Sequence, residues 1–132
     1  MCESRKVLIV DDDDQLLFGT RRRLEAAGYV TCVASDGDEG VRTASDELPD
    51  LVLMDVRMPR LDGLAALAQL RNNPATKDIP VVMLSASLSD QGTALDLGAR
   101  YFVRKPYSGQ QLLTAVEHAI RHACDASAPA DV

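Results

Sequence analysis

Five short apolar runs along the chain alternate with stretches in which apolar residues recur every three or four positions. Runs rich in Val, Ile and Leu are typical of strands buried on both faces of a sheet, whereas the longer spacing is typical of helices that bury one face. The predicted strands are residues 7–10, 29–34, 51–54, 81–84 and 101–103. The predicted helices are, to within a few residues, 16–27, 36–48, 62–71, 88–97 and 108–123.

Residues at several helix ends are those expected of helix caps. Gly28 and Gly98 follow the first and fourth helical stretches, and Asp36 with Glu39 resembles a capping box. Phe18 lies off the first apolar stripe and is either a rim residue of the core or an exposed partner contact. The stripes of the first two helices predict inward-facing Leu16, Leu17, Thr20, Leu24 and Ala27, then Val41, Ala44 and Leu48.

Strand and helix alternate five times, which predicts right-handed crossovers and an α/β fold. Because a parallel sheet needs both faces covered, we expect a five-stranded parallel sheet with helices on both faces. The 132 residues suffice for one domain with a sizeable core. Residues 1–124 are assigned to this domain, and residues 125–132, which lack periodicity, to a flexible tail or the stub of a linker.

Composition and charge limit the classes of partner that the chain is expected to bind. Hydrophobic residues make up 46% of the chain and charged residues 26%, as in ordinary globular proteins. The net charge of -6 argues against a nucleic-acid surface, so the basic run Arg21-Arg22-Arg23 is interpreted as a solvated helix face. No signal-peptide pattern and no apolar run of membrane-spanning length are found, which predicts a cytoplasmic protein without a membrane partner.

The cysteines and histidines suggest no separate chemistry. Cys2, Cys32 and Cys124 are an odd number without CxxC spacing, which favours free thiols in a reducing cytosol. His118 and His122 are spaced i, i+4, a spacing that can bind metal. No third ligand is evident near them, so exposed histidines are favoured.

Four consecutive carboxylates, Asp11 to Asp14, follow the first strand directly. Clustered like charges repel, so this site should hold either protons or a cation at neutral pH. Carboxylate and water oxygens suit Mg²⁺. Acids after a strand can also be a solvated helix N-terminus, and Asp13 and Asp14 are expected to begin the first helix.

Polar residues also end three further strands, namely Asp55, Ser85 and Lys105. The carboxyl ends of parallel strands meet at one edge of a sheet, which is where open α/β folds build their sites. Three carboxylates could bind Mg²⁺, with Lys105 offsetting the remaining charge. An ionised aspartate there could attack phosphorus and form an aspartyl phosphate, while the cation and Lys105 stabilise the phosphoryl oxygens.

Together these strand ends resemble the receiver domain of two-component response regulators, of the chemotaxis-regulator type. The resemblance covers residues 6–122. The motifs are the pair Asp11-Asp12, Asp55-x-x-x-Pro59, Ser85-Ala86 and Lys105-Pro106. Each motif is weak alone, but all four in register are highly specific. The resemblance implies a flavodoxin-like strand order 2-1-3-4-5.

Carried over by position, the resemblance assigns a role to each strand end. Asp55 is expected to be the phosphoacceptor and a metal ligand. Asp12 is expected to bind Mg²⁺ directly, Asp11 through a metal-bound water, and Arg57 through its backbone carbonyl. Ser85 and Lys105 are expected to contact phosphoryl oxygens, with a cis peptide bond from Lys105 to Pro106.

The resemblance also implies a switch between two states. Phosphorylated Asp55 is expected to draw Ser85 inward, which vacates space that Phe102 fills. The face formed by the fourth helix, fifth strand and fifth helix then changes its affinity for partners. Two residues depart from the commoner pattern and are expected to tune the phosphate lifetime. Arg57 could pair with an acid such as Asp13 or shield the acyl phosphate, and Ser87 is small and polar.

The predicted function is therefore signalling, with self-catalysed phosphotransfer and autodephosphorylation but no enzymatic role. The expected donor is a histidine kinase or histidine phosphotransfer protein, docking near Gln15, Phe18, Pro106 and Tyr107. The expected receiver of the signal is a protein target or a missing output domain. One alternative is a small haloacid-dehalogenase-like Mg²⁺ phosphatase, with Asp11 as nucleophile and Asp13 as acid/base. Another is a receiver that acts unphosphorylated as a scaffold.

Overall fold

The computed structural model describes residues 5–58 and 61–124, without the side chains of residue 88 and residues 122–124. In that part of the chain there are five strands: Lys6–Val10 (β1), Val30–Ala34 (β2), Leu51–Asp55 (β3), Val81–Ser85 (β4) and Tyr101–Arg104 (β5). Five helices alternate with them: Asp14–Ala26 (α1), Gly37–Glu47 (α2), Gly63–Arg71 (α3), Leu88–Asp96 (α4) and Gly109–Cys124 (α5). The predicted alternation is confirmed.

The strands form one parallel sheet in the order β2-β1-β3-β4-β5, which confirms the expected flavodoxin-like order. Strand β3 lies between β1 and β4, with Val10 opposite Met54 and Asp55 opposite Leu84. All five strands run in the same direction, so their carboxyl ends share one edge. The central position of β3 puts Asp55 between the ends of β1 and β4.

The sheet is buried on both faces, which explains why β1, β3 and β4 are continuously apolar. On β1, Val7 and Ile9 pack on one face while Leu8 and Val10 pack on the other. Helices α1 and α5 cover the first face, with Leu24 and Val116 fully buried. Helices α2, α3 and α4 contribute to the second core, so the predicted covering of both faces is confirmed.

The helix ends follow the sequence signals. The Asp36 carboxylate accepts a hydrogen bond from the Glu39 N–H at 2.8 Å, and the Glu39 carboxylate accepts one from Ser35 N–H at 2.8 Å. The capping box is therefore confirmed, although its return bond reaches the residue before Asp36. Gly28 and Gly98 have φ values of 99° and 102°, the left-handed conformation expected after a helix.

Three of the predicted core positions are wrong. Ala27 is exposed because it is the C-cap of α1, where the helix ends. Leu16 is 51% exposed because Leu17 and Leu24, seven residues apart, form the stripe that faces the sheet. Leu48 is 57% exposed because the chain leaves α2 there in the left-handed conformation, with φ 48°, which turns its side chain off the helix face. Phe18 is exposed rather than a rim residue, and the Arg22 guanidinium lies 5.7 Å from its ring centroid.

The remaining general expectations concern the surface and the chain ends. The Arg21-Arg22-Arg23 run is exposed on α1, as expected of a solvated face. Over the described residues, every helix is too short or too polar to cross a membrane. The proposed tail, residues 125–132, lies outside the described part of the chain, as does Cys2.

Candidate functional site

Three carboxylates meet at the carboxyl edge of the sheet. Asp11 and Asp12 follow β1, and Asp55 ends β3, which pairs directly with β1. One oxygen from each of the three lies within 4.8 Å of the others. They form the one group of three or more potential metal ligands found among the described residues. The predicted grouping of these acids is confirmed.

Local bonds hold Asp11 in this position. Its Oδ1 accepts a hydrogen bond from the Asp13 N–H at 3.0 Å, which closes a tight turn between β1 and α1. Asp13 is the N-cap of α1, and its carboxylate accepts from the N–H groups of Gln15 and Leu16. The expectation that Asp13 and Asp14 begin the first helix is confirmed. Asp13 is thereby turned toward the helix rather than toward the cluster.

Burial and the clustered carboxylates both disfavour the ionised form of Asp11, the latter as expected of like charges held close together. Burial raises the pKa of Asp11 above its ordinary value, and the charges of Asp55 and Asp12 raise this pKa further. The N–H of Asp13 and the charge of Lys105 act against this rise. Only 7% of Asp11 and 5% of Asp55 is exposed to solvent, whereas Asp12 is exposed. A divalent cation bound here would relieve the repulsion that disfavours ionised Asp11.

The donor set fits Mg²⁺. All the clustered side chains offer carboxylate oxygens, two of them buried and one open to solvent. Mg²⁺ prefers oxygen ligands and keeps several waters, which an edge with one exposed carboxylate allows. The Arg57 carbonyl stays a prediction as a further ligand, and Pro59 of the sequence motif lies outside the described residues.

Lys105 reaches the same edge from the other side of β3. Its Nζ lies 3.0 Å from Oδ1 of Asp55. Its backbone N–H donates to the Ser85 carbonyl at 2.9 Å, which fixes the segment after β5 against β4. The peptide bond to Pro106 is cis, as expected. Asp55 therefore has a buried position, two neighbouring carboxylates and a lysine in direct contact.

Gly63 allows α3 to start directly behind β3. A Cβ atom at this position would overlap the Asp55 carbonyl oxygen and come within 2.8 Å of the Val56 Cα. The Asp62 carboxylate caps the helix by accepting from the Ala65 N–H at 2.9 Å. Asp62-Gly63 thus confirms the predicted start of the third helix and lets the chain turn back close to the site.

Ser85 stands at the edge as predicted, but its hydroxyl already has partners. It is 1% exposed, and its Oγ donates to Oδ2 of Asp90 at 2.6 Å. The same Oγ accepts a hydrogen bond from the Ser87 N–H at 3.1 Å. Ser87 is the N-cap of α4, and Asp90 lies in the first turn of that helix. Ser85 is thus joined to the start of α4.

Asp90 is the residue that the sequence interpretation missed. Its only sequence signal is the spacing Ser87-x-x-Asp90, which predicts an acid near a helix N-terminus but not a bond to Ser85. Asp90 is also the acid beside Arg57, with 3.5 Å between Arg57 Nη2 and Asp90 Oδ2. The suggested pairing of Arg57 with Asp13 is wrong because Asp13 caps α1 while Arg57 reaches α4.

Phe102 and the other singled-out residues have ordinary surroundings. Phe102 is half-buried on β5 opposite Met83 and packs against the core beneath α4. His118 is exposed and meets Tyr101 edge to face at 6.2 Å, while the side chain of His122 is not described. Cys32 is a free, half-buried thiol whose pKa is raised by burial. The structure leaves the Cys124 side chain undescribed.

Comparison with known proteins adds evidence about the family to which the chain is similar. The family model for the response regulator receiver domain matches residues 7–117. The alkaline phosphatase synthesis transcriptional regulatory protein PhoP of Bacillus subtilis is 35% identical over 120 residues, covering 89% of this chain and 49% of that protein. The chain spans about half the length of the curated relatives it matches.

Solved structures agree with this match. The signal receiver domain of a histidine kinase from Syntrophus aciditrophicus has a TM-score of 0.83 and 32% identity, covering 90% of this chain and 92% of that one. The receiver domain of a sensor histidine kinase from Pseudomonas aeruginosa has a TM-score of 0.82 and 27% identity, covering 89% and 98%. That second structure has a magnesium ion coordinated in its active-site cleft.

Proposed function

The chain belongs to the response regulator receiver family, a class of signalling domain that histidine kinases phosphorylate, and on that premise we propose that Asp55 accepts the phosphoryl group. One observation carries the proposal. Asp55 is a buried carboxylate that contacts Lys105 at 3.0 Å and shares the edge of the sheet with Asp11 and Asp12. Asp55 therefore has a cation beside it that can bind the oxygens of an incoming phosphoryl group.

The transfer is a substitution at phosphorus. A carboxylate oxygen of Asp55 forms a bond to the phosphorus of a phosphohistidine, and the bond from phosphorus to the histidine nitrogen breaks. The electron pair of that bond leaves with the imidazole, so that Asp55 becomes an acyl phosphate. Because Asp55 attacks as an anion, no base is needed to activate it.

Asp12 and Asp55 would bind Mg²⁺ directly, with Asp11 acting through a bound water and Arg57 through its carbonyl. When bound, the ion supplies positive charge to the transferring phosphoryl oxygens and reduces the repulsion among the carboxylates. The all-carboxylate donor set and the magnesium ion in the related receiver domain support this assignment.

Lys105 is proposed to follow the negative charge as it moves. Before transfer its ammonium pairs with Asp55, and after transfer it pairs with a phosphoryl oxygen on the same residue. The hydrogen bond from the Lys105 N–H to the Ser85 carbonyl holds the lysine backbone at a defined place on the edge. A fixed cation costs little reorganisation when the charge arrives.

The signal is proposed to leave through α4, β5 and α5. Ser85 would bond to a phosphoryl oxygen, and Phe102 would move into the space that Ser85 vacates. Phe102 borders an open groove along β5 and α5, which also includes Tyr101, Gln111 and His118. Phe has no hydroxyl, so the change at this position would act by packing alone. The shape of the face formed by α4, β5 and α5 would then set its affinity for partners.

The phosphodonor is proposed to dock beside α1 and the loop after β5. Gln15, Pro106 and Tyr107 border one groove there, and the exposed Leu16 and Phe18 lie on the same helix as Gln15. A histidine kinase or a histidine phosphotransfer protein fits this role. The longer relatives are transcriptional regulators, which supports either a separate protein target or an output domain on a longer chain.

Further features of the proposal extend beyond the site. The receiver domain is assigned to residues 1–124 and a tail or linker to residues 125–132. The net charge of -6 supports a domain that does not itself bind nucleic acid, and a cytoplasmic location is proposed. Slow self-catalysed loss of the phosphoryl group is proposed, with Arg57 and Ser87 tuning its rate.

The haloacid-dehalogenase-like alternative finds no support. Its acid/base, Asp13, is engaged as the N-cap of α1, and Lys105 contacts Asp55 rather than Asp11. The family match and the relatives are those of receiver domains.

The direct test is incubation with acetyl phosphate, with and without Mg²⁺, followed by intact-mass measurement. Wild type should gain one phosphoryl group in Mg²⁺ and on the order of 10-fold less without it. Asp55→Asn, which preserves shape but not charge, should gain none, whereas the exposed control Asp46→Asn should match wild type. Equal labelling of Asp55→Asn, or no labelling of wild type, would overturn the proposal.

A further inference from the structure

We propose that Asp90 is a positioning residue that holds the Ser85 hydroxyl in the unphosphorylated chain and competes with the phosphoryl group for it. The inference rests on the proposed function of Asp55 and adds a residue outside the four strand-end motifs. It starts from the hydrogen bond between Ser85 Oγ and Asp90 Oδ2, which is 2.6 Å long. Both residues are buried, at 1% and 8% exposure.

The competition follows from the chemistry of a hydroxyl group. A serine hydroxyl has one proton to donate, and here that proton goes to a carboxylate. A phosphoryl oxygen on Asp55 carries no proton that it must donate, so it too requires the Ser85 proton. Ser85 can therefore serve Asp90 or the phosphoryl group, but not both. Hydrogen bonds to ionised acceptors are the stronger class, so the bond to Asp90 is a substantial competitor.

The same hydroxyl joins β4 to the start of α4. Ser85 Oγ accepts from the Ser87 N–H at 3.1 Å and donates to Asp90, so it bridges the N-cap and the first turn of the helix. The Ser87 hydroxyl bonds to that of Ser89 rather than capping the helix. When the Ser85 hydroxyl donates to a phosphoryl oxygen instead, its bond to Asp90 in the first turn of α4 is released. The exchange thereby links phosphorylation of Asp55 to the position of α4.

Arg57 provides Asp90 with a second partner when the Ser85 hydroxyl leaves. A buried carboxylate left without a partner is strongly disfavoured. The Arg57 guanidinium lies 3.5 Å from the same Asp90 oxygen and comes from the loop that follows Asp55. After Ser85 departs, Asp90 keeps this cation as a partner. The Arg57 side chain is 73% exposed, so it can follow small movements of α4.

A simpler role for Asp90 makes a different prediction. Acids in the first turn of a helix stabilise it through the helix dipole, and this contribution does not depend on Ser85. Positioning of the Ser85 hydroxyl does depend on Ser85. The two roles are therefore separated by removing Asp90 with and without the Ser85 hydroxyl.

The experiment measures binding of beryllofluoride, a phosphoryl analogue, in Mg²⁺ by ¹⁹F NMR. The variants are Asp90→Ala, Ser85→Ala and the double substitution, with Asp96→Ala as control because Asp96 is an exposed acid of the same helix. Asp90→Ala should lower the half-saturating concentration about 3- to 10-fold, the range that one competing hydrogen bond provides. On the Ser85→Ala background the same change should have less than about a 2-fold effect.

A second variant covers the case in which Asp90→Ala does not fold. Asp90→Asn keeps a carbonyl oxygen for the Ser85 hydroxyl but loses the charge, so it should shift binding in the same direction by a smaller factor. The inference is overturned if Asp90→Ala, or Asp90→Asn in its place, binds as Asp96→Ala does, or if its effect persists without the Ser85 hydroxyl. If either of these results is obtained while acetyl phosphate still labels wild type, only the role of Asp90 is overturned. If acetyl phosphate does not label wild type, the role of Asp55 is overturned as well.

Discussion

The two halves of the site differ in where their polar groups find partners. At the carboxyl ends of β1, β3 and β5, the three carboxylates cluster and Lys105 contacts one of them, Asp55. On β4, the Ser85 hydroxyl bonds away from that group, to Asp90 and Ser87 of α4. The side chains of the first half already lie together before any phosphoryl group arrives, whereas the second half has to exchange a partner.

This difference assigns separate tasks to the two halves. Charges placed in advance stabilise the transferring group without reorganisation, which is how such sites accelerate a reaction. A hydroxyl with two alternative acceptors can instead report whether the transfer has occurred. The comparison therefore predicts large effects on reactivity from the charged half and smaller effects on the equilibrium between states from the half on β4.

The largest effect is expected at Lys105. Lys105→Met keeps the apolar stem but removes the ammonium that lies 3.0 Å from Asp55. The initial rate of labelling by acetyl phosphate should fall by about 100-fold, as for loss of one charge-stabilising donor in an enzyme site. Intact-mass time courses measure this rate, with the exposed Lys77→Met as control. A rate within a factor of two of wild type would remove Lys105 from the mechanism.

The next effect concerns the metal. Mg²⁺ should raise the free energy of unfolding of wild type by about 2–3 kcal/mol when its concentration is about 100 times its Kd. Asp12→Ala should abolish this increment, because Asp12 is proposed to be a direct ligand of the ion, from the turn after β1. Thermal unfolding with and without Mg²⁺ gives the comparison. Asp14→Ala, an exposed acid of α1 outside the cluster, should retain the full increment. Loss of the increment in both variants would indicate nonspecific ion binding.

A smaller effect, on thermal stability, is expected from substituting Asp11 in the absence of divalent ions. Its pKa is raised in the folded state by burial, then by Asp55 and Asp12. The folded chain therefore holds this proton more tightly than the unfolded chain does. Stability from this group is present below the unfolded pKa and is lost as the pH rises through the folded pKa. Asp11→Asn removes this loss of folding stability, so the variant should melt about 2–5 °C above wild type at neutral pH.

The pH dependence makes that prediction specific. The advantage of Asp11→Asn should shrink as the pH falls through the raised folded pKa, because wild type then carries the proton too. Thermal unfolding in EDTA across pH provides the measurement. An advantage that is constant with pH would mean that Asn stabilises the turn by another route.

The smallest effect is expected from Arg57, on the half of the site that exchanges partners. Its guanidinium is exposed and its ion pair with Asp90 is 3.5 Å long, so screening limits its strength. Arg57→Ala should speed loss of the phosphoryl group about 2-fold, because Asp90 then lacks the cation that replaces Ser85 and draws the Ser85 hydroxyl back from the phosphoryl oxygen. Decay of labelled protein after removal of acetyl phosphate gives the rate, with the exposed Arg42→Ala as control. An unchanged rate would dismiss a role in phosphate lifetime.

The sequence predicted the charged half of the site better than the half on β4. Asp11, Asp55 and Lys105 lie at the ends of apolar strands, so sheet topology brings them to one edge. The bond of Ser85 to Asp90 depends on where α4 begins and which way one hydroxyl points. Those details arise from side-chain packing, which periodicity does not encode.

The fold shows the same division. The strand order and the alternation of elements agree with the apolar pattern. The errors fall at the helix margins, at Leu16, Ala27 and Leu48. There the predicted apolar stripe is one position too wide or extends past the end of the helix, so the residue does not face the core.

The most direct test of the central claim is to locate the phosphoryl group on the chain. Borohydride reduces an aspartyl phosphate to homoserine, so wild type labelled with acetyl phosphate in Mg²⁺ can be reduced, digested and sequenced by tandem mass spectrometry. The structure predicts homoserine at position 55 and unmodified Asp11, Asp12 and Asp13. Homoserine at position 11 instead, with Asp55 intact, would contradict the account.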